Sequence, residues 1–390
     1  MQKKPKIAII LMRYPARTET FATRDFLELG KSYSVDVISY FSGDKINSMP
    51  KWSPNLLFSI IDSIRSADKF FFILRLMFAH KFNFRHFVKT IALTPLSISI
   101  FNKIIENKVD LVHLYWGHYP SLVALLIKEF SDIKTTSFLG AYDLEERFWG
   151  TSALSKTSIN YVTHCNYNIR LLRLYYDIKK NNVLVMYRSL NVQDFYIYEK
   201  QKHIGSKLNI TFTGRCCKEK GVYHIMNVLL QLHCSGVDFT MNFIGDGEER
   251  VNITNLSRQY EIYDKIIFYG WLDPVGVRDI LRCTDVFLFL SEKVSERLPN
   301  AIKEAMLSLC YVISSNSKGI NELVPHGAGS IHRPDDYKSI LDCIIYCSKN
   351  IEFMRRSAKI GQSHILKNFN ISINMKKQAR LWNNLIAFHE

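Results

Sequence analysis

Two glutamates eight positions apart flank a proline in the segment S-E-R-L-P-N-A-I-K-E-A-M, Ser295 to Met306. Carboxylates accept hydrogen bonds from hydroxyls, so Glu296 and Glu304 suit a polyol or sugar ligand. Pro299 fits the first turn of a helix, and the amides near Leu298 to Ala301, exposed at that helix start, suit a phosphate. An isolated pair at this spacing describes a solvated helix start equally well, and its surroundings have to decide.

Upstream, T-F-T-G-R-C-C-K-E-K-G (Thr211 to Gly221) carries a strand into Gly214 and Arg215 and reaches Lys220-Gly221 before a helical stretch. Glycine lets the backbone approach a ligand, arginine offers a two-pronged fork, and lysine offers a point charge to diphosphate oxygens. A solvated basic turn has the same composition. F-I-G-D-G-E-E-R (Phe243 to Arg250) ends another strand in Gly245-Asp246-Gly247 and reads by itself as an ordinary turn. Its place still counts, because open α/β sheets bind ligands at the carboxyl ends of their strands.

The elements that must hold these residues are legible as alternation. Strand-like runs at Ile7–Leu11, Ser34–Tyr40, Leu111–Leu114 and Thr135–Phe138 form a first series. Leu208–Thr213, Phe239–Ile244, Ile266–Tyr269, Val286–Leu290 and Tyr311–Ser314 form a second. Helical patterns separate them, which argues for parallel sheets covered by helices. We expect domains at 1–192 and 193–370, with a polar linker in Asn191–Ser206. A helix over 371–390 is expected to pack back on the first domain.

A chain of 390 residues exceeds what one core usually serves. With 47% apolar and 22% charged residues, 17 Gly and 10 Pro, the composition is that of a globular protein. The start, MQKKPKIAIILMRYP, holds an apolar run too short for a secretory signal and reads as a buried first strand, so a cytoplasmic location is expected. The eight cysteines show no zinc spacing, and no metal is expected.

The formal charge of +15 is concentrated in residues 1–192, where 26 Lys/Arg face 15 Asp/Glu. Such a field attracts polyanions: anionic lipid headgroups, nucleic acid or phosphorylated substrates. Within it, Phe58 to Ile105 interleaves Phe and aliphatic residues with Arg75, Lys81, Arg85 and Lys89. That pattern fits a basic amphipathic helix at a membrane interface, or a core helix whose basic side chains snorkel. The aromatics lie mainly in apolar strands and helices and no nucleic-acid-binding fold signature is present, so nucleic acid is not expected as a partner.

Taken together, the motifs resemble those of retaining glycosyltransferases of family 4, which have the GT-B fold. They occur in family order: G-R-x-x-x-x-K-G at Gly214–Gly221, G-D-G at 245–247, Y-G-W-L at Tyr269–Leu272, E-x7-E at Glu296–Glu304 and G-I-N-E-L-V at Gly319–Val324. The resemblance implies two Rossmann-like doubly wound parallel-sheet domains facing a cleft, the second holding a nucleotide-sugar donor. It implies that Gly214, Arg215, Lys220 and Gly245 meet the diphosphate, Glu304 the ribose, Trp271 the nucleobase region, and Glu296 with Leu298 and Pro299 the transferred hexose. No metal cofactor is implied.

The first domain matches less closely. R-T-E-T-F at Arg17–Phe21 is similar to a family loop and points to Thr18 and Glu19 as acceptor contacts. The segment His113-Leu-Tyr-Trp-Gly117 carries Tyr115 where the family has a second histidine, and F-L-G-A-Y-D (Phe138–Asp143) carries Leu139 where relatives carry His. The implied catalytic set is Glu296, Asp143 and His113, with His118 also a candidate and Tyr115 and Tyr142 on the acceptor. The expected reaction is retaining hexose transfer to a sugar acceptor on a polyprenyl-diphosphate or other lipid, at an anionic membrane surface, in bacterial surface polysaccharide synthesis. The departures at Tyr115 and Leu139 leave a donor-binding protein without transferase activity as the alternative.

Overall fold

The computed structural model describes residues 4–15, 20–43, 51–195, 207–293 and 296–387. The chain divides into two compact units, Met1–Arg188 with Ile371–Glu390, and Ser189–Asn370. The division precedes the expected boundary because Leu190 donates its amide to the Phe369 carbonyl at 2.9 Å, tying residues after Arg188 to the second unit. Of the expected linker, residues 196–206 lie outside the described residues, and Val192–Phe195 forms a short 3-10 turn.

The first unit runs β1 (Lys6–Tyr14), α1 (Thr20–Leu29), β2 (Ser34–Ser42), β3 (Lys51–Trp52), α2 (Leu56–Arg65), α3 (Ala67–Phe78), α4 (Phe84–Glu106), β4 (Leu111–Leu114), α5 (Ser121–Phe130), β5 (Lys134–Phe138), α6 (Ala141–Glu146), α7 (Trp149–Leu154), β6 (Asn160–Thr163), α8 (Tyr167–Tyr176) and β7 (Val183–Val185). Its seven strands are parallel in the order β3-β2-β1-β4-β5-β6-β7. β1 shows why both faces are covered: Ala8 and Ile10 enter one apolar cluster with α4 and α5, while Ile7, Ile9 and Leu11 enter another with α1. Alternation with period two sends successive side chains to opposite faces, and a parallel sheet buries both.

Phe58 to Ile105, expected as one helical stretch, is broken into three. Asn55 caps α2 and Asn83 caps α4, each by side-chain acceptance of backbone amides. α4 is long and apolar enough by composition to cross a membrane, yet 56% of its most apolar window is buried inside the unit, where Leu93, Leu96, Ile98 and Ile100 fill the core.

The second unit runs β8 (Leu208–Thr213), α9 (Val222–Cys234), β9 (Phe239–Ile244), α10 (Arg250–Gln259), β10 (Ile266–Gly270), α11 (Pro274–Cys283), β11 (Val286–Phe289), α12 (Asn300–Leu307), β12 (Tyr311–Ser315), β13 (Gly329–His332), α13 (Tyr337–Lys349) and α14 (Ile351–Asn368). Its six parallel strands take the order β10-β9-β8-β11-β12-β13. In both sheets the chain winds outward from the first strand and then reverses, leaving a switch point between β1 and β4 and between β8 and β11, where such sheets bind ligands.

The last helix, α15 (Ile371–Ala387), belongs to the first unit. Trp382 is fully buried there, its ring 5.4 Å from Tyr33 and its indole N–H donating to Thr136 Oγ1 at 3.2 Å. Tyr33 answers by donating its hydroxyl toward the Ala379 carbonyl at 2.9 Å or Asn383 Oδ1 at 2.7 Å.

Candidate functional site

In the second unit, three glycine turns leave neighbouring strands. Gly214 donates its amide to the Ile244 carbonyl at 2.9 Å, and Gly245 donates to the Gly270 carbonyl at 2.7 Å. Gly245 has φ +122° and a Cβ there would overlap the Gly214 carbonyl, so the turns after β8 and β9 stack backbone on backbone. Arg215 is exposed beside them.

Lys218–Lys220 forms one 3-10 turn and Gly221, at φ +73°, opens α9. A Cβ at Gly221 would overlap the Leu290 carbonyl just past β11. That close approach brings the two sides of the switch point together. Glu292 donates its amide to the Glu219 carbonyl at 2.9 Å, and Lys220 Nζ lies 2.6 Å from Glu296 Oε1. The other carboxylate oxygen is 2.7 Å from Ser291 Oγ, whose single proton is shared with the Glu219 carbonyl at 3.0 Å.

Glu296 and Lys220 are only 15% and 19% exposed, and Lys220 also lies 5.3 Å from the Phe289 ring. Partial desolvation strengthens the attraction, while each charge needs the other to occupy that space. The result is a carboxylate and an ammonium fixed side by side at the rim of the sheet. Ser291, which orients that carboxylate, carried no signal in the sequence: it is one serine in a loop.

Pro299 stands immediately before α12, with φ −63° and ψ 137°, rather than in its first turn as expected. Helix amides therefore begin at Asn300. Leu298 and Pro299 are buried, so they offer backbone rather than side chain to a ligand. Glu304 is half-buried on the second turn of α12, and Trp271 is 74% exposed after β10.

In the first unit, three of the expected residues are buried. Asp143, expected as catalytic, is buried with both oxygens engaged: Oδ1 accepts from the Gly117 amide at 3.0 Å and faces His118 Nδ1 at 3.1 Å, and Oδ2 accepts from the Gly140 amide at 2.8 Å. It ties the loop after β4 to the start of α6 and orients His118. His113, also expected as catalytic, is enclosed against Thr136 Oγ1 at 2.8 Å and Trp382, and burial pushes its imidazole down to about 3.

Tyr115, expected on the acceptor, donates its hydroxyl to Asp25 Oδ2 at 2.7 Å and stacks on Phe138 beneath the surface. Leu139 is fully buried and fills the space beside Gly117, so the position where the family has a histidine is here part of the core. The accessible groups are His118, held by Asp143, and Tyr142, half exposed at its edge. Thr18 and Glu19 lie outside the described residues.

Two doubly wound parallel sheets, the second with cation, carboxylate and glycine turns gathered at its switch point, define an α/β protein of the GT-B fold. Residues 196–364, most of the second unit, match the family described as glycosyl transferases group 1. The chain is similar to 2-deoxystreptamine glucosyltransferase of Streptomyces kanamyceticus, 32% identical over 30% of this chain and 29% of that one. It is also similar to the putative colanic acid biosynthesis glycosyltransferase WcaL of Salmonella typhimurium, 29% identical over 34% of each. The match thus spans about a third of the length of these curated relatives. Over 97% of this chain and 100% of the other, the fold is that of Anabaena HepE, solved in complex with UDP, with a TM-score of 0.72 at 12% identity.

Proposed function

We propose that this protein is a retaining glycosyltransferase that moves a hexose from a nucleoside-diphosphate sugar to a sugar acceptor. The observation that carries the reading is the contact of Lys220 with Glu296, which joins the cationic turn after β8 to the carboxylate loop after β11. Arg215, Lys220 and the amides opening α12 receive the diphosphate, whose charge grows as the bond to the sugar breaks. Those groups take the part a divalent metal would otherwise play, so none is required. Glu296 accepts from the hexose hydroxyls, Glu304 from the ribose, and the nucleobase lies toward Trp271. The acceptor hydroxyl attacks the anomeric carbon on the face the diphosphate leaves, and a β-phosphate oxygen takes its proton. No protein nucleophile enters the reaction.

In the first unit, the imidazole of His118 and the hydroxyl of Tyr142 serve the acceptor. Similarity to the colanic acid protein and to the lipopolysaccharide core glycosyltransferase LpsE of Rhizobium meliloti supports a role in bacterial surface polysaccharide synthesis. An acceptor on a polyprenyl diphosphate or other lipid follows, with the enzyme on the cytoplasmic face of the membrane and its basic first unit toward anionic headgroups.

Thermal-shift screening against UDP-, GDP-, ADP- and TDP-sugars identifies the donor by stabilisation of the folded chain. With that donor, Glu296→Ala is expected to lose transfer and hydrolysis together. Equal turnover in both proteins refutes the assignment, and inversion at the anomeric carbon refutes retention.

A further inference from the structure

Surface helices bury their apolar stripe and show water their polar one. α2 does the reverse. Its buried residues are Ser59 and Ser63, which face α4, and each hydroxyl bonds back to the carbonyl four residues earlier, at 2.8 and 2.9 Å. The seam is therefore narrow and needs no polar partner from α4. Leu56, Leu57, Phe58, Ile60, Ile61 and Ile64 are left 37 to 74% exposed.

Phe71 and Phe78 on α3 and Phe84 on α4 are 65 to 80% exposed as well. Among the described residues, 12 of the 27 exposed large apolar side chains fall between Leu56 and Ile105, so the exposure is concentrated rather than scattered. Single apolar residues on a surface need no partner; a concentration of this kind does.

Charge decides what covers it. From Leu56 to Glu106 the chain holds seven Lys/Arg against three Asp/Glu, and Arg65, Arg75, Lys81, Arg85 and Lys89 are exposed. A second copy seated on this face brings the same cations against them. An anionic bilayer accommodates both chemistries, acyl chains for Leu, Ile and Phe and phosphate headgroups for Arg and Lys. Ten residues of helix extend about 15 Å, half of a hydrocarbon core, so α2 lies in the interface and does not cross it.

We infer that α2 is a membrane-inserting ridge, its leucine, isoleucine and phenylalanine side chains entering the acyl region of an anionic bilayer while the surrounding cations hold the headgroups. This inference rests on the membrane-bound acceptor reading above and deepens it, since charge attraction alone requires no insertion.

The test is co-sedimentation of the full chain with vesicles of phosphatidylglycerol and phosphatidylethanolamine, in low and high salt, with circular dichroism and hydrogen exchange of first-unit peptides as the check on folding. Leu57→Ser/Ile64→Ser is expected to lower vesicle affinity at least about tenfold and to abolish the part that survives high salt. Arg75→Glu/Arg85→Glu is expected to lower only the salt-sensitive part. If the α2 variant binds as the wild type does while charge reversal releases the protein, the inference falls and membrane association by charge stands. If the wild type binds no vesicle, both fall. If, without lipid, the wild type sediments as a dimer and the α2 variant as a monomer, α2 is a seam between copies and the inference is overturned.

Discussion

Replacing Lys220 by methionine keeps the side chain's length and removes its charge from beside Glu296. At a separation of about 3 Å and an effective dielectric of 20, the gross attraction is on the order of 5 kcal/mol. Both groups keep some contact with water, at 19% and 15% exposure, and Ser291 Oγ still serves one carboxylate oxygen. The net cost to the second unit should therefore be about 2 kcal/mol, below that of breaking a wholly buried pair. Glu296→Gln should cost a similar amount, and the double variant about 1 to 2 kcal/mol less than the sum, because neither charge is then left alone. Hydrogen exchange of peptides spanning Leu208–Gly221 and Val286–Leu307 measures these costs in the unit that holds the pair. If the single costs add to within about 0.5 kcal/mol, the two groups are not coupled and the geometry argued here for the site is wrong.

Gly221→Ala should lower donor affinity at least about tenfold, since the new Cβ pushes the start of α9 away from the Leu290 carbonyl and draws Lys220 off Glu296. Gly236→Ala is the control: φ is similar at +72° but its surroundings are open, so calorimetric titration should find only stability altered, by about 1 kcal/mol. Asp143→Asn turns an amide N–H₂ toward a backbone amide of Gly117 or Gly140 and should cost the first unit about 2 kcal/mol, read as a lower Tm. For His113, burial holds the folded pKa near 3, below its ordinary 6.5, so the unfolded chain binds the extra proton. Its contribution is complete above pH 6.5 and is lost as the pH falls toward 3. Between pH 7 and 4.5 the wild type should lose on the order of 2 kcal/mol through this group, and His113→Phe should lose less in urea titrations at the two pH values.

Local spacing made the frame legible. β8, β9 and β11 are short apolar runs ended by Gly214, Gly245 and the polar loop after Leu290, and each turn chemistry is written within a few residues of its strand. The continuous apolar run from Ile7 to Leu11 placed β1 before any fold was known. The edges were harder: β3 has two residues and β13 is only partly buried, so neither presents a full apolar run. The helical segment from Phe58 to Ile105 read as one because composition says little about where the chain breaks at Ser66 and restarts at Asn83.

The sequence by itself determined which residue types stand after which strand, since a glycine turn, a basic turn and a carboxylate loop are each local in the chain. Only the tertiary structure decided which of them meet. Lys220 and Glu296 are 76 positions apart and touch because parallel pairing of β8 with β11 and the missing Cβ of Gly221 bring their loops together. It also decided that Asp143 and His113 are buried and hydrogen-bonded, because burial and the direction of backbone amides depend on every neighbouring element at once. The same holds for α2, whose residues look like those of any amphipathic helix until packing through Ser59 and Ser63 turns its apolar face outward.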